Sequence, residues 1–248
     1  MITVEKGSEI AKGGFRNEDD VIRKFNDWQY DRVAQEWLII LGYKIEEIEF
    51  VRAVKISKQK TDVQVQIRIS IKLQNEIDVQ NLQVKLVSNT WGFNQIDKRR
   101  VDNYVELWNM PEEIIYILKR YTGEIPPTIN DAYDKRRMLA NEFLKQEQQN
   151  ILNWLNQNKM LIVSDILKGR GKFAAEWMLV IQILPDTYNW ILKPMNYCIN
   201  FFGGGEVIIT SRGNFRIGNI TMQRKGGDGG RESAKMLQFK INPLDLFL

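Results

Sequence analysis

An acid, an amide and an amine fall in two neighbouring segments whose residues alternate between apolar and polar. Asp62 lies in the segment 61–69, and Gln83 and Lys85 lie in the segment 81–87. Alternation of this kind predicts β-strands, in which side chains two residues apart point to the same face. Gln83 and Lys85 therefore share a face, and Asp62 lies beside them if the two strands pair across the polar turn between them.

These three groups suit the hydrolysis of a phosphodiester. Mg²⁺ binds oxygen ligands, which Asp62 and Gln83 supply, and the ammonium of Lys85 can hold or activate a water aimed at a phosphate. The same residues also occur on the solvated faces of ordinary antiparallel hairpins, so the pattern by itself leaves both interpretations open.

The composition excludes several classes of site. The 248 residues, enough for one large domain or two small ones, include no histidine, which excludes Ser-His and Cys-His catalysis and histidine-based metal sites. Cys198 is the only cysteine, so the chain forms no internal disulfide, as expected in a reducing cytoplasm. Lys and Arg outnumber Asp and Glu by 35 to 31, an excess too small to establish nucleic-acid binding. No stretch reaches the roughly 20 apolar residues of a membrane span, so we expect no membrane contact.

Helical periodicity dominates the chain up to about residue 172, and strand-like alternation dominates the C-terminal remainder. Helices are predicted at 17–28, 30–41, around 97–100, 111–121, 134–158 and 162–168. Strands are predicted at 45–57, 61–69, 81–87, 177–184, 206–210, 214–217, 220–223 and 236–241. This order predicts an α+β fold, with a catalytic sheet in the N-terminal half and a second sheet in the C-terminal half.

A basic, glycine-rich loop comes directly after the strand predicted at 220–223. Arginine pairs with guanine edges, glutamine with adenine edges, and aspartate accepts from cytosine, while glycines let the backbone approach a groove closely. The candidate residues are Gln223, Arg224, Lys225, Gly226, Gly227, Asp228 and Arg231. The alternative is a solvent-exposed hairpin loop whose charges aid solubility.

Two further segments carry residues suited to contact with DNA. Phe93 lies in the segment 91–95 beside a glycine and two amides, so its ring is a candidate wedge between bases. The alternative is a core residue that closes a loop. The loop 169–172, with the sequence GRGK, either holds a phosphate or forms an ordinary turn.

Several segments taken together resemble a known family. They are GFRNEDD (14–20), NLQVKLVSNTWGFNQIDK (81–98), YTGEIPP (121–127), YDKRRM (133–138), ILKGRGKFAAEW (166–177) and ITMQRKGGDGGRESAKMLQFKINP (220–243). The chain resembles the type II restriction endonucleases of the PD-(D/E)XK nuclease superfamily. Within it, the resemblance is to the MspI-like group of small four-base cutters that includes the HinP-type GCGC cutter. The resemblance runs almost end to end, and the last segment is the longest and most specific.

The resemblance implies a Mg²⁺-dependent endonuclease, with one or two ions, that cuts both strands of a short palindrome. Its fold would be a PD-(D/E)XK core, a central mixed sheet flanked by helices, with a β-rich DNA-recognition half. A single domain, 1–248, would comprise a catalytic core region at 1–125, a helical region at 126–172 and a recognition region at 173–248. Double-stranded DNA would be its partner, with a homodimer formed on or off DNA as one possible assembly.

The resemblance also assigns roles to residues. Asp62 matches the metal-binding aspartate, Gln83 matches an amide that replaces the usual Asp or Glu, and Lys85 matches the catalytic lysine. Val84 and Glu18 are carried over to the metal site as well. Phe93 would enter the base stack, and the other DNA contacts would come from Asn94, Gln95, Lys98 and the loop residues named above.

By resemblance, the expected site is GCGC, cut after the first G, with CCGG as the fallback. Two functions of other classes stay open at this point. One is a non-catalytic sequence-specific DNA-binding module, in which Asp62, Gln83 and Lys85 have no catalytic role. The other is a structure-selective repair nuclease, which would cut at nicks, flaps or mismatches rather than at a base sequence.

Overall fold

A computed structural model of the chain describes residues 18–56, 64–71, 76–225 and 232–248. The chain divides into two compact units. The first unit consists of Met1–Gly92, Lys168–Cys198 and Asn242–Leu248, and the second consists of Phe93–Leu167 and Ile199–Ile241. Each unit contains one five-stranded sheet.

Helices and strands are distributed along the whole described chain. The helices are α1 (18–26), α2 (Arg32–Ile40), α3 (Asp102–Trp108), α4 (Glu112–Thr122), α5 (Lys145–Gln157), α6 (Lys159–Leu167) and α7 (Met195–Gly203). The strands are β1 (Ile48–Ile56), β2 (Gln64–Ile71), β3 (Glu76–Val87), β4 (Asn94–Arg99), β5 (Trp177–Leu184), β6 (Thr187–Pro194), β7 (Val207–Ile209), β8 (Phe215–Ile217), β9 (Ile220–Arg224) and β10 (Leu237–Ile241).

The first unit contains a mixed sheet in the order β1-β2-β3-β5-β6. β2 pairs with β3 in the antiparallel sense, as the sequence predicts, with Gln64 opposite Gln83. β3 and β5 are parallel, from Leu82 beside Trp177 onward. A parallel pair requires a long crossover connection, and residues 88–176, which supply it, include a large part of the second unit.

Helices α1 and α2 cover one face of this mixed sheet. Phe25 of α1 and Trp37 of α2 are fully buried, with their ring centroids 5.1 Å apart. Leu82 and Val84 of β3 belong to the same core. Alternate residues of β3 therefore point toward the helices, and the residues between them point to the other face.

Helix α2 begins at Asp31, whose side chain caps its first turn. The carboxylate accepts a hydrogen bond from the Ala34 N–H at 3.0 Å and pairs with Lys24 Nζ at 2.9 Å. Burial raises the pKa of Asp31, but the hydrogen bonds from Lys24 and Ala34 outweigh burial and lower this pKa below its usual value. An N-cap of this type stabilises a protein by about 1 kcal/mol.

The second unit contains an antiparallel sheet in the order β4-β10-β9-β8-β7. One face of it packs on an aromatic core, in which Tyr104 and Trp108 of α3 stack with centroids 4.2 Å apart. Both rings meet Phe239 of β10 edge on, at 5.7 and 5.9 Å. Trp108 Nε1 donates to the buried Asp165 at 3.1 Å, which satisfies the polar end of the ring.

The α+β class predicted from the sequence is confirmed, but two predicted helices are wrong in part or whole. Residues 94–99 form β4 rather than a helix, because their backbone pairs with β10. The helix predicted at 134–158 begins only at Lys145. The preceding residues instead form a bridge between Asp134 and Arg137 and a short 3₁₀ turn.

The predicted boundary at residue 173 does not coincide with a boundary between the two sheets. β5 and β6 lie in the predicted recognition region 173–248, yet they belong to the sheet of β3. The physical reason is the parallel pairing of β5 with β3, which a local pattern does not reveal. The single domain 1–248 stays a prediction.

Candidate functional site

β3 carries the predicted catalytic pair within the mixed sheet. Leu82 and Val84 pack in the core with the helices, so Gln83 and Lys85 point to the other face and only the backbone of Val84 can reach it. Both polar side chains are almost inaccessible, with 1% and 4% exposed. Val180, the parallel partner of Lys85 on β5, is buried as well.

The buried amide of Gln83 has an oxygen that receives no hydrogen bond from the described residues. No group in the described part of the chain donates to Gln83 Oε1. Leaving a buried acceptor unsatisfied costs about 1–3 kcal/mol, so this atom suits an oxygen-binding ligand such as a divalent cation. Within the described residues, no three His, Cys, Asp or Glu side chains cluster to hold a metal ion. Asp62 lies outside the described residues.

The GRGK loop is attached to β3 next to this pair. Asn81 lies two residues before Gln83 on the same face, and its Nδ2 donates to the carbonyl oxygen of Lys172 at 3.2 Å. The Asn81 carbonyl in turn accepts from the Glu176 N–H at 2.8 Å. Arg170 and Lys172 are exposed. The structure thus anchors a loop with two exposed cationic residues to β3, two residues before Gln83.

Glu18 lies on the opposite, helix-covered face. Its carboxylate pairs with Lys55 Nζ of β1 at 2.7 Å. Lys55 is in register, through β2, with Leu82, and residues in register on neighbouring strands point to the same face. The structure therefore brings Gln83 and Lys85 together but does not bring Glu18 to them.

Two predicted base-contacting residues, Gln95 and Gln223, are joined by a third glutamine in the second sheet. Gln223 Nε2 donates to Gln238 Oε1 at 2.9 Å, and Gln238 Nε2 donates to Gln95 Oε1 at 2.6 Å. These three side chains, the glutamine row, cross β9, β10 and β4. The row lies on the face opposite to the aromatic core, because Phe239, next to Gln238, points into that core.

A β-bulge determines which residues of β4 share the face of the glutamine row. The partner on β4 shifts from Asp97 to Gln95 between consecutive residues of β10, so β4 carries one extra residue. In a regular strand, the odd spacing between Gln95 and Lys98 would put them on opposite faces. With the bulge, both lie on the face of Gln238, and Lys98 lies directly opposite it.

Phe93 contacts this polar face rather than the core. Its side chain is 55% exposed, and Lys240 Nζ lies 5.9 Å from the centre of its ring. Lys240 is two residues after Gln238 and shares its face, and burial lowers the pKa of the Lys240 ammonium. The core interpretation of Phe93 is therefore wrong, and its role toward DNA stays a prediction. Asn94 is the next residue, and its backbone pairs with Ile241.

Arg224 and Lys225 lead toward the glycine-rich loop but lie apart from the glutamine row. Arg224 is opposite Leu237, on the side of the aromatic core, and its Nη1 donates to the Arg137 carbonyl at 3.4 Å. Burial, followed by the charge of Arg137, lowers the pKa of Arg224. Arg137 is ion-paired with Asp134 at 3.0 Å and donates to the Lys225 carbonyl at 2.7 Å. The other predicted loop residues, Gly226, Gly227, Asp228 and Arg231, lie outside the described residues.

Gln238 and Lys240 are not among the residues predicted from the sequence to contact DNA. A signal for them exists, since 237–241 alternates Leu, Gln, Phe, Lys and Ile, so its polar residues share one face. The sequence gives no such signal for Asn81, because no local residue pattern identifies an amide that hydrogen-bonds to a loop far along the chain.

Comparison with protein families identifies the chain. Residues 41–247 match the family described as R.HinP1I restriction endonuclease. The chain belongs to this restriction endonuclease family. A search of curated protein sequences finds no match. Among solved structures, the chain is similar to a crystal structure of the restriction endonuclease MspI in complex with its cognate DNA. The TM-score is 0.63 and the identity 12%, over 97% of this chain and 100% of that one.

Membership of the R.HinP1I family makes the chain a type II site-specific deoxyribonuclease. Restriction endonucleases of this kind generally use a divalent metal. The likeness to MspI confirms the predicted PD-(D/E)XK fold with its central mixed sheet flanked by helices. No helix in the described part of the chain is long and apolar enough to cross a membrane.

Proposed function

We propose that this restriction endonuclease makes Mg²⁺-dependent double-strand cuts at a short palindromic DNA site. The family supplies the restriction activity. MspI, whose fold the chain shares, is bound to its cognate DNA in the matched structure, which supports double-stranded DNA as the ligand. Two symmetric cuts in a palindrome suit two identical protomers, paired on or off DNA.

The observation that carries the proposal is the buried pair on β3. Gln83 offers an amide oxygen that no described donor uses, and Lys85 shares its face with 4% of its surface exposed. Polar side chains on an ordinary hairpin face would be solvated, whereas the burial of a lysine is uncommon. A local arrangement that reduces stability is expected where function requires it.

The metal ligands would be the carboxylate of Asp62, the amide oxygen of Gln83 and the backbone carbonyl of Val84. The unsatisfied Gln83 oxygen fits a hard cation, and we name Mg²⁺ because it accepts a few protein oxygens together with waters. When bound, the cation would polarise a phosphate oxygen and lower the pKa of a bound water. Glu18 could join this set only by leaving Lys55, so the proposed set omits it.

Lys85 would act directly on the reacting atoms. Its ammonium has three N–H donors and is buried, where charge interactions are stronger than in water. We assign it the hydrogen bond that orients the attacking water and the stabilisation of negative charge that develops on the phosphate oxygens. Arg170 and Lys172 of the tethered GRGK loop would contact backbone phosphates, which positions DNA without reading its sequence.

The polar face of the second sheet would read the base sequence. Gln95 and Gln223 carry amides that pair with base edges, and Lys98 lies on the same face. The exposed ring of Phe93 suits a wedge between bases, and a CG step, a pyrimidine–purine step, is among the easier ones to open. The resemblance favours GCGC, cut after the first G, with CCGG as the fallback, and the loop 224–231 would add further base contacts.

Incubating the purified protein with plasmid DNA and Mg²⁺ tests the proposal. Discrete fragments whose ends map to GCGC support it in full, and ends at CCGG support the activity while correcting the site. A reaction with a chelator in place of Mg²⁺ must leave the plasmid intact. A mobility shift without cutting, or cutting only at nicks, flaps or mismatches, would overturn the proposal.

A further inference from the structure

The glutamine row is a chain of hydrogen bonds with a direction. The NH₂ of a glutamine amide only donates and its oxygen only accepts. Gln223 donates to Gln238, and Gln238 donates to Gln95, so the middle amide uses both of its ends within the row. Turning one amide over alone would set two donors or two acceptors against each other. The hydrogen bonds of the row therefore favour one set of three matched orientations over any single reversal.

The direction of the row determines which end of each outer amide, the nitrogen or the oxygen, takes no part in the hydrogen bonds of the row. Gln95 uses its oxygen within the row, and Gln223 uses its nitrogen. Gln95 Nε2 and Gln223 Oε1 are thus outside the row's own hydrogen bonds. Base pairs in a groove differ in their pattern of donors and acceptors, so the end that an amide directs outward determines which base edge it can pair with.

We propose that Gln238 is a positioning residue for sequence recognition, which couples the amide orientations of Gln95 and Gln223 across the sheet. This inference rests on the proposed function, in which those two amides meet base edges. The strand register supports it, since Gln223 and Lys98 lie directly opposite Gln238 on its two neighbouring strands. Gln95 lies diagonal to Gln238 because of the bulge in β4.

Gln148 illustrates what a purely structural glutamine does in the same unit. It is half-buried like Gln238, and its Nε2 donates to the backbone carbonyls of Phe143 at 2.7 Å and Asn141 at 3.3 Å. Its amide is fixed by backbone groups and orients no other side chain through those bonds. Gln148 is therefore the matched control for Gln238.

Three variants test the coupling. Gln238→Leu removes both bonds of the row. Gln238→Glu supplies two acceptor oxygens, so it keeps the bond from Gln223 but makes Gln95 turn its nitrogen inward and its oxygen outward. Gln148→Leu removes bonds to the backbone only. The measurements are melting temperature and the relative cleavage rates of the wild-type site and of each duplex with one base pair of that site replaced.

We expect Gln238→Leu to lower the ratio of cognate to substituted-site cleavage by about tenfold at the positions that the two outer amides read. Gln238→Glu should preserve the preference at the Gln223 position and change the preferred base at the Gln95 position. Gln148→Leu should leave the ranking of all sites unchanged, even if its melting temperature falls.

Several results would overturn the inference. If wild-type protein cuts its site selectively and Gln238→Leu keeps every ratio, Gln238 has no positioning role, although the proposed function stands. If Gln148→Leu loses selectivity to the same extent at the same melting temperature, the effect belongs to a loosened fold. If Gln238→Leu does not fold, an unchanged base preference in Gln238→Glu decides against the coupling. Wild-type protein without any sequence preference would overturn both the inference and the proposed function.

Discussion

The two sheets hold their polar side chains in different ways. On β3, Gln83 and Lys85 are almost fully buried, and the Gln83 oxygen has no donor among the described residues. On the second sheet, the members of the glutamine row are half-buried and hydrogen-bond to one another. An acceptor that no described donor uses suits strong binding at a single atom. A row of amides that hydrogen-bond to one another suits discrimination between different base pairs. The pair Gln83 and Lys85 therefore suits catalysis, and the glutamine row suits discrimination between base sequences.

The two arrangements also differ in their effect on stability. A buried acceptor that stays unsatisfied costs about 1–3 kcal/mol, and Gln83 Oε1 is such an acceptor with respect to the described residues. The amides of the glutamine row retain hydrogen bonds to one another, so the row carries a smaller penalty. We therefore expect substitutions of Gln83 and Lys85 to affect activity far more than stability, since these two buried polar residues are not chosen for stability.

The largest effect should come from the ammonium of Lys85. Lys85→Met keeps a side chain of similar length, and we expect it to slow cleavage by about 100-fold or more, the effect of removing one transition-state donor. Folding should persist, because an apolar group replaces a buried charge. Single-turnover cleavage and melting temperature check both statements. Lys44→Met, at an exposed lysine paired with Glu47, is the control, and equal slowing there would contradict the assignment.

The second-largest effect should distinguish the exposed ring of Phe93 from the buried ring of Phe239. Phe93→Ala should slow the cleavage of intact duplex and reduce DNA bending, with little change in stability because Phe93 is 55% exposed. Phe239→Ala, at a fully buried ring, should lose about 3–5 kcal/mol. Thermal unfolding and a bending assay on both variants make the comparison. Marked destabilisation of Phe93→Ala with bending unchanged would end the wedge hypothesis.

A smaller effect, on the Mg²⁺ requirement, should result from replacing the neutral amide of Gln83 on β3 with a charged metal ligand. Gln83→Glu replaces a neutral amide oxygen with a carboxylate, which binds hard cations more strongly. We expect half-maximal cleavage at a lower Mg²⁺ concentration than in the wild type. A Mg²⁺ titration of the cleavage rate measures this, with Gln29→Glu at an exposed site of the same unit as the control. An unchanged curve, or one shifted to higher Mg²⁺, counts against Gln83 as a ligand.

The smallest effect concerns a residue that belongs to neither polar face. Asp31→Ala should reduce the free energy of unfolding by about 1 kcal/mol at neutral pH, through the loss of the cap on α2. The folded-state pKa of Asp31 is lowered, so its contribution is complete above the unfolded pKa and disappears as pH falls through the folded value. Urea unfolding of both proteins from neutral pH to about pH 3 should show the difference shrinking. A difference that grew in acid would reverse the assigned sign.

Local periodicity predicts part of this fold and fails where a partner strand is distant. The alternation at 81–87 correctly predicts a strand, and its pairing with β2 is confirmed. The charges at 97–100 suggested a helix, but the β10 strand, far along the chain, makes that segment a strand. The strand predicted at 177–184 is confirmed as β5, but its parallel pairing with β3 is missed, because a crossover through the second unit leaves no local signature.

The same distinction holds for the sites. Gln83 and Lys85 share a face because strand periodicity alone requires it. Whether Glu18 joins them depends on how α1 packs, and the helix places it against Lys55. Gln95 and Lys98 share a face only because of a bulge, which no residue pattern in β4 announces.

The central claim is that β3 performs the cutting and the second sheet selects the sequence. The most direct test is competition binding of Lys85→Met and wild type to a GCGC duplex and to a scrambled duplex, without added metal so that neither is cut. We predict that the variant, although much slower in cleavage, keeps the wild-type ratio of the two affinities within about twofold, because base contacts and not the catalytic lysine provide that ratio. A ratio that falls toward one in Lys85→Met would show that cutting and selection share the same residues, and would contradict the account.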